Sequence, residues 1–198
     1  MATMPHIGSD DETALVALLR DWEVRARRLL ADVEPREHPE GVLSTRDLIR
    51  RAEALRRLRW FMMPRETQKV CHLWPALRRH LGAQPVETLR ERKVGFERLF
   101  IELRWADERS RAFDTTLVSL VTEVEEYLRC EELMLPDVAS KVPAAEREAI
   151  ARRMSIGRGW YPVQPHPDVP ARPRLATAVK PIAAVFDRLR DALTTAPG

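Results

Sequence analysis

Lysine is scarce in this chain: Lys69, Lys93, Lys141 and Lys180 stand among 33 basic residues, the rest of them arginine. Cysteine is scarcer. Cys71 and Cys130 are too few for a disulfide framework and do not form a C-x-x-C pair, which points to a reducing cytoplasm. No run of about 18 apolar residues occurs, and Met1 to Ser9 lacks a basic region followed by an apolar stretch, so neither membrane spanning nor secretion is expected. Dense basic stretches interleaved with aromatics are missing as well. The 33 basic and 30 acidic residues are mixed along the chain, so a nucleic-acid or membrane partner is not expected, and the most basic run, Arg46 to Arg59, reads as a solvated helix face.

What is present suits one globular domain. A chain of 198 residues buries roughly 70% of the surface that its unfolded form exposes. Hydrophobic residues make up 44% and charged ones 32%, too apolar a balance for a disordered chain.

The apolar residues recur at spacings of three and four in four long segments, which predicts an all-α protein. The first segment follows the capping residues Ser9, Asp10 and Asp11, carries the stripe Leu15, Leu18, Trp22, Ala26, Leu29, Val33, and ends at Glu34, Pro35 and the 37–41 stretch. The second starts near Ser44 or Thr45 and closes at His80, Leu81 and Gly82; Pro64 is expected to break or kink it. The third runs from about Pro85 to Asp107, and the fourth from about Arg109 to Val138. Short links favour antiparallel neighbours, hence an up-down-up-down four-helix bundle over residues 10–142. Residues 143–198 form an extension: a helix at about 144–156, a strap with five prolines between Pro162 and Pro173, and a last helix at about 181–193.

Charges interrupt these seams. Lys93 falls inside Val86, Leu89, Lys93, Phe96, Phe100, Leu103, and Arg65 and Lys69 fall on the second stripe between Met62 and Leu73. The fourth stripe carries Tyr127 and Glu131 between Val124 and Met134. Buried charges must be paired, because an unpaired ion in a core costs several kcal/mol.

The helix count, the paired endings Leu73-Trp74-Pro75 and Met134-Leu135-Pro136, and the strap Pro165-His166-Pro167-Asp168 together resemble the hemerythrin-like (HHE cation-binding) proteins of actinobacterial type. That resemblance covers most of the chain and implies a bundle whose di-iron site uses one His on the first helix, His-x-x-x-Glu on the second, one His on the third and His-x-x-x-x-Glu or Asp on the fourth. Matched position by position, Leu18-Leu19-Arg20-Asp21-Trp22 puts Trp22 at the first His, and Leu89-Arg90-Glu91-Arg92-Lys93 puts Lys93 at the third helix's His. Counting back from Pro75 gives Arg65 and Lys69 for the second helix's His and Glu; counting back from Pro136 gives Glu126 for the fourth helix's His and Glu131 for its acid. Only Glu131 keeps the expected residue type. Protonated lysine and arginine offer no lone pair, so no di-iron site, no metal and no other cofactor is expected, and the scattered His6, His38, His72, His80 and His166 do not restore one.

The leading expectation is metal-independent binding of a small anionic or carbonyl-bearing molecule in a charged central pocket. Arg65, Lys69 and Lys93 against Glu126 and Glu131 would leave one positive charge over for it. Turnover would use Lys69, Lys93, Glu126 and Glu131 in acid-base or lysine-dependent chemistry, with Trp22, Arg65, Tyr127 and Cys130 lining the ligand. One alternative is a non-catalytic interaction or scaffold protein with an ion-paired core. Another, which the resemblance implies by default, is an iron-dependent oxygen-binding protein, and a displaced metal site could draw on Glu66, Glu125, Glu126, Glu131 and Cys130. Oligomeric state is left open.

Overall fold

The computed structural model describes residues 13–33 and 44–156, and every regular element among them is helical. The expected Ser9 to Asp11 cap, the 34–43 link, the proline strap and the last helix lie outside the described residues, as do His6, His38 and His166.

Helix α1 is Ala14–Val33, α2 is Thr45–Gln68, a π-helical turn follows at Lys69–Leu73, and α3 is Trp74–His80. Then come α4 at Ala83–Trp105, α5 at Arg111–Lys141 and α6 at Ala144–Ser155. Local chemistry sets several of these boundaries. The hydroxyl oxygens of Ser44 and Ser110 accept from the backbone amides of Asp47 and Phe113, satisfying first-turn donors of α2 and α5. Gly82, at φ 94 and ψ 179, occupies backbone that other residues avoid and makes the sharp entry to α4.

Pro64 sits inside α2 without ending it. The interruption falls further on, where the Trp74 amide reaches back to the Lys69 carbonyl in a π-type bond. Pro75 follows directly; its ring would crowd the carbonyl of Cys71 in an α-helix, and the wider turn relieves that clash. Lys69 opens this turn, so the irregularity lies in the core beside a charge.

Backbones pack most closely between α1 and α2, α3 and α4, α4 and α5, and α1 and α5, while α6 lies against α1 and the π-turn. One apolar cluster runs through all of these, from Leu15 and Leu30 through Leu58, Phe96 and Leu120 to Met154. The stretch Met62 to Val70 is buried at every position, so the middle of α2 is enclosed on all sides and shows no amphipathic period there. Among the described residues no helix is long and apolar enough to cross a membrane.

Candidate functional site

At the centre the Lys69 ammonium, 4% exposed, donates to Glu66 Oε1 at 2.7 Å and to Glu131 Oε2 at 2.5 Å. The Tyr127 hydroxyl closes the ring, donating to Glu66 Oε2 and lying 3.0 Å from Glu131 Oε1. Two helices thus supply a four-membered network: Glu66 and Lys69 come from α2 and the π-turn, Tyr127 and Glu131 from α5. Helical geometry makes both pairs, because residues three or four apart share a face.

Electrostatics follow from burial and partners. Burial alone would push the Lys69 ammonium down, but the Glu131 and Glu66 carboxylates outweigh it and hold the group above its ordinary value. Lys69 is therefore a fixed cation at neutral pH, not a neutral nucleophile. Burial drives the Glu131 carboxyl up to about 7, with Lys69 pulling it back and Glu66 adding to the rise. Tyr127 is pushed well above its ordinary range, chiefly by burial and then by the two carboxylates, and stays a neutral donor.

The other expected site residues separate from this network. Lys93 and Glu97, both on α4 and both buried, pair at 2.5 Å, and the second oxygen of Glu97 has no hydrogen-bond partner. Arg65 donates to the Phe61 carbonyl at 2.7 Å and lays its guanidinium 3.5 Å from the Phe61 ring centroid and 5.3 Å from that of Trp22. Trp22 is 2% exposed and serves as that packing surface. Cys130, like Cys71, is a half-buried cysteine at the edge of the core.

Glu126 corrects the expected set. Its side chain is 36% exposed and is bonded to Arg129 at 2.8 Å on the outer face of α5, and that bond lowers its carboxyl. Glu126 is turned outward to Arg129, and Tyr127, four before Glu131 and so on its face of the helix, takes the inward place. The charge count changes with it. Lys69 is shared by Glu66 and Glu131 and Lys93 is paired with Glu97, two ammonium groups against three carboxylates, while Arg65 lies over Phe61 and Trp22, so the arrangement expected for an anionic guest is not there. Sequence reading named Glu66 only in the displaced metal set and did not name Glu97, although each stands three or four residues from a seam lysine, the spacing that pairs charges on a helix.

Glu131 also borders solvent through a crevice. Its side chain is 15% exposed at the wall of a half-open cleft formed by Leu19, Leu73, Leu77, Leu89 and Leu135, which come from α1, the π-turn, α3, α4 and α5. The cleft offers about 20 Å³ of space to a water-sized group. At the rim Arg27 holds Glu23 at 2.8 Å and Glu132 at 3.1 Å, tying α1 to α5.

The donor set does not fit a di-iron centre, since a lysine ammonium sits between the two central carboxylates and Arg65 and Lys93 offer no lone pair. Among the described residues no group of three or more His, Cys, Asp or Glu side chains is arranged to hold a metal ion, the displaced set around Glu125 and Cys130 included. Comparison with protein-family models, with curated proteins and with solved structures gives no match.

Proposed function

We propose that this is a metal-free small-molecule-binding protein whose binding centre is the Glu131 crevice backed by the Lys69, Glu66 and Tyr127 network. The observation that carries this reading is the placement of Glu131: a carboxyl raised to about 7, held by a buried lysine and tyrosine, at the wall of an apolar cleft open to solvent. A perturbed acid in such a cleft is the usual mark of a binding or proton-transfer site. Any turnover would use Glu131 as the proton carrier, with Lys69 and Tyr127 positioning it.

The same reading takes the architecture as an up-down-up-down four-helix bundle of hemerythrin-like type. Two facts support it: α1, α2 with α3, α4 and α5 pack as a closed ring of neighbours, and the Lys69–Glu131 bridge spans the diagonal between helices whose backbones do not pack closely. Lys69 would then stand where that family places metal.

A second reading, a non-catalytic interaction protein with an ion-paired core, is favoured by the small space in the cleft, about 20 Å³ against the several hundred of most ligand pockets. A fragment screen on the full chain in the presence of chelator separates the two. The binding reading expects fragments whose signals map to the crevice by NMR and vanish in Met134→Trp, which fills it from a half-buried position. If no fragment of any charge binds there, the second reading stands.

A further inference from the structure

We propose that the Glu131 crevice selects small primary amines in their protonated form, a short apolar body carrying one ammonium head. This rests on the crevice being a binding site and goes further by fixing the class of guest. Three observations converge on it.

The first is polarity. Every polar group lining the cleft is a carboxylate, namely Glu23, Glu131 and Glu132, and the rest of its wall is aliphatic or the Met134 thioether. The core cations do not line it: Lys69 lies behind Glu131, Lys93 is taken up by Glu97 on α4, and Arg65 is held over Phe61 and Trp22. Apart from Arg27, which is taken up by Glu23 and Glu132 at the rim, a guest meets acceptors along the wall that the described residues form. An anion would be repelled, and a neutral apolar guest would leave the exposed edge of Glu131 desolvated without a partner.

The second is size. The cleft as a whole offers about 20 Å³ to a water-sized group, and an ammonium group is close to a water molecule in volume. The aliphatic lining, Leu77 and Val138 included, suits a short alkyl chain lying along it.

The third is capacity. Lys69 occupies one position on Glu131 Oε2, the Tyr127 hydroxyl lies 3.0 Å from Oε1 with its proton on Glu66, and a carboxylate has about four acceptor positions. A guest ammonium can bond Glu131 without displacing either partner. It would compete with the proton that Glu131 takes up near neutrality, so binding and protonation exclude one another. The groups that face Glu131 are Lys69 and Glu66 from α2 and the π-turn and Tyr127 from its own helix, with Glu23 and Arg27 of α1 and Glu132 of α5 at the rim and only the Leu89 side chain from α4 in the cleft wall.

The test titrates the full chain with n-butylammonium, n-butanol and butyrate by calorimetry and by NMR, at about pH 8.5 and again about one unit below the Glu131 value. The expected result is saturable binding of n-butylammonium alone, weaker by about tenfold at the lower pH because only about a tenth of Glu131 is then ionised. Glu131→Gln should weaken it by about tenfold or more at the higher pH, and Met134→Trp should abolish it. Melting curves of both variants establish that they are folded. Preferential binding of butanol or butyrate in the crevice would overturn the amine assignment while leaving the binding reading intact. Absence of binding by all three probes removes the assignment, and with an empty fragment screen it removes the binding reading too. Equal affinity in Glu131→Gln would place the amine elsewhere and overturn the proposal.

Discussion

Lys69 bonds two carboxylates at once, so removing it strands two buried negative charges, whereas Lys93 answers to Glu97 alone. Lys69→Met should therefore cost about 3–5 kcal/mol in urea unfolding. Lys93→Met should cost less than that once Glu97 is replaced as well: the double change Lys93→Met with Glu97→Leu exchanges a buried pair for apolar packing, which is near neutral. Strong coupling of Lys93 to Glu131 instead would contradict the pairing seen here. Glu131 adds a pH signature. Its carboxyl sits near 7 in the folded chain against an ordinary 4.5, so between those values the folded state holds a proton that the unfolded state has released. Its contribution to stability is then full below the ordinary value and is lost as pH rises through 7, at up to about 1.4 kcal/mol per pH unit. His72, lowered by burial and by Arg153, works in the opposite direction, so the measurement is the difference between wild type and Glu131→Gln across that range. The buried positions of Arg65, Lys69, Lys93 and Tyr127 and the half-buried one of Glu131 were legible because each falls on an apolar seam. Glu66 was named only as a metal donor because it lies off the stripe, in a stretch buried all round; and Glu126 was drawn in by its match to a motif position, while its side chain turns outward to Arg129.

At the scale of elements, turns and prolines decide where helices stop. Gly82 has open space around a β-carbon position, so Gly82→Ala tests backbone strain without a clash: φ 94 with ψ 179 should cost about 1–3 kcal/mol by denaturant midpoint. A loss under a few tenths would mean that the α4 entry relaxes freely. The helical segments themselves were readable from apolar period and from caps such as Ser44. The fourth helix starts at Arg111 and not Arg109 because the Ser110 side chain caps it, and it runs on to Lys141 through Pro136. The π-turn was not readable. Proline announces that the hydrogen-bond ladder must yield but not how, and Pro64 and Pro136 are accommodated inside their helices while the wide turn falls directly before Pro75.

Across the whole molecule, α6 is what encloses the charged centre from the side of the π-turn. It buries Ile150, Ala151 and Met154, packs on α1 and the π-turn, and is tied back by Glu146 to Arg79 and His80 and by Gln68 to the Ile156 carbonyl. Ile150→Ala should then cost about 2–5 kcal/mol, as deletion of buried methyl groups does. Its effect should also be local. Cys71 lies in the π-turn that α6 covers, while Cys130 lies on α5, which α6 does not pack against closely. Thiol labelling of single-cysteine chains should accordingly speed up more at Cys71 than at Cys130 when Ile150 is truncated. Equal acceleration at both would mean that α6 and the helices around the Lys69 network open only as one unit, because local opening requires a boundary across which contacts can be lost separately. A selective rise at Cys71 would show that boundary to run along the π-turn, and would make α6 the element whose opening admits water to the ion pairs behind Glu131.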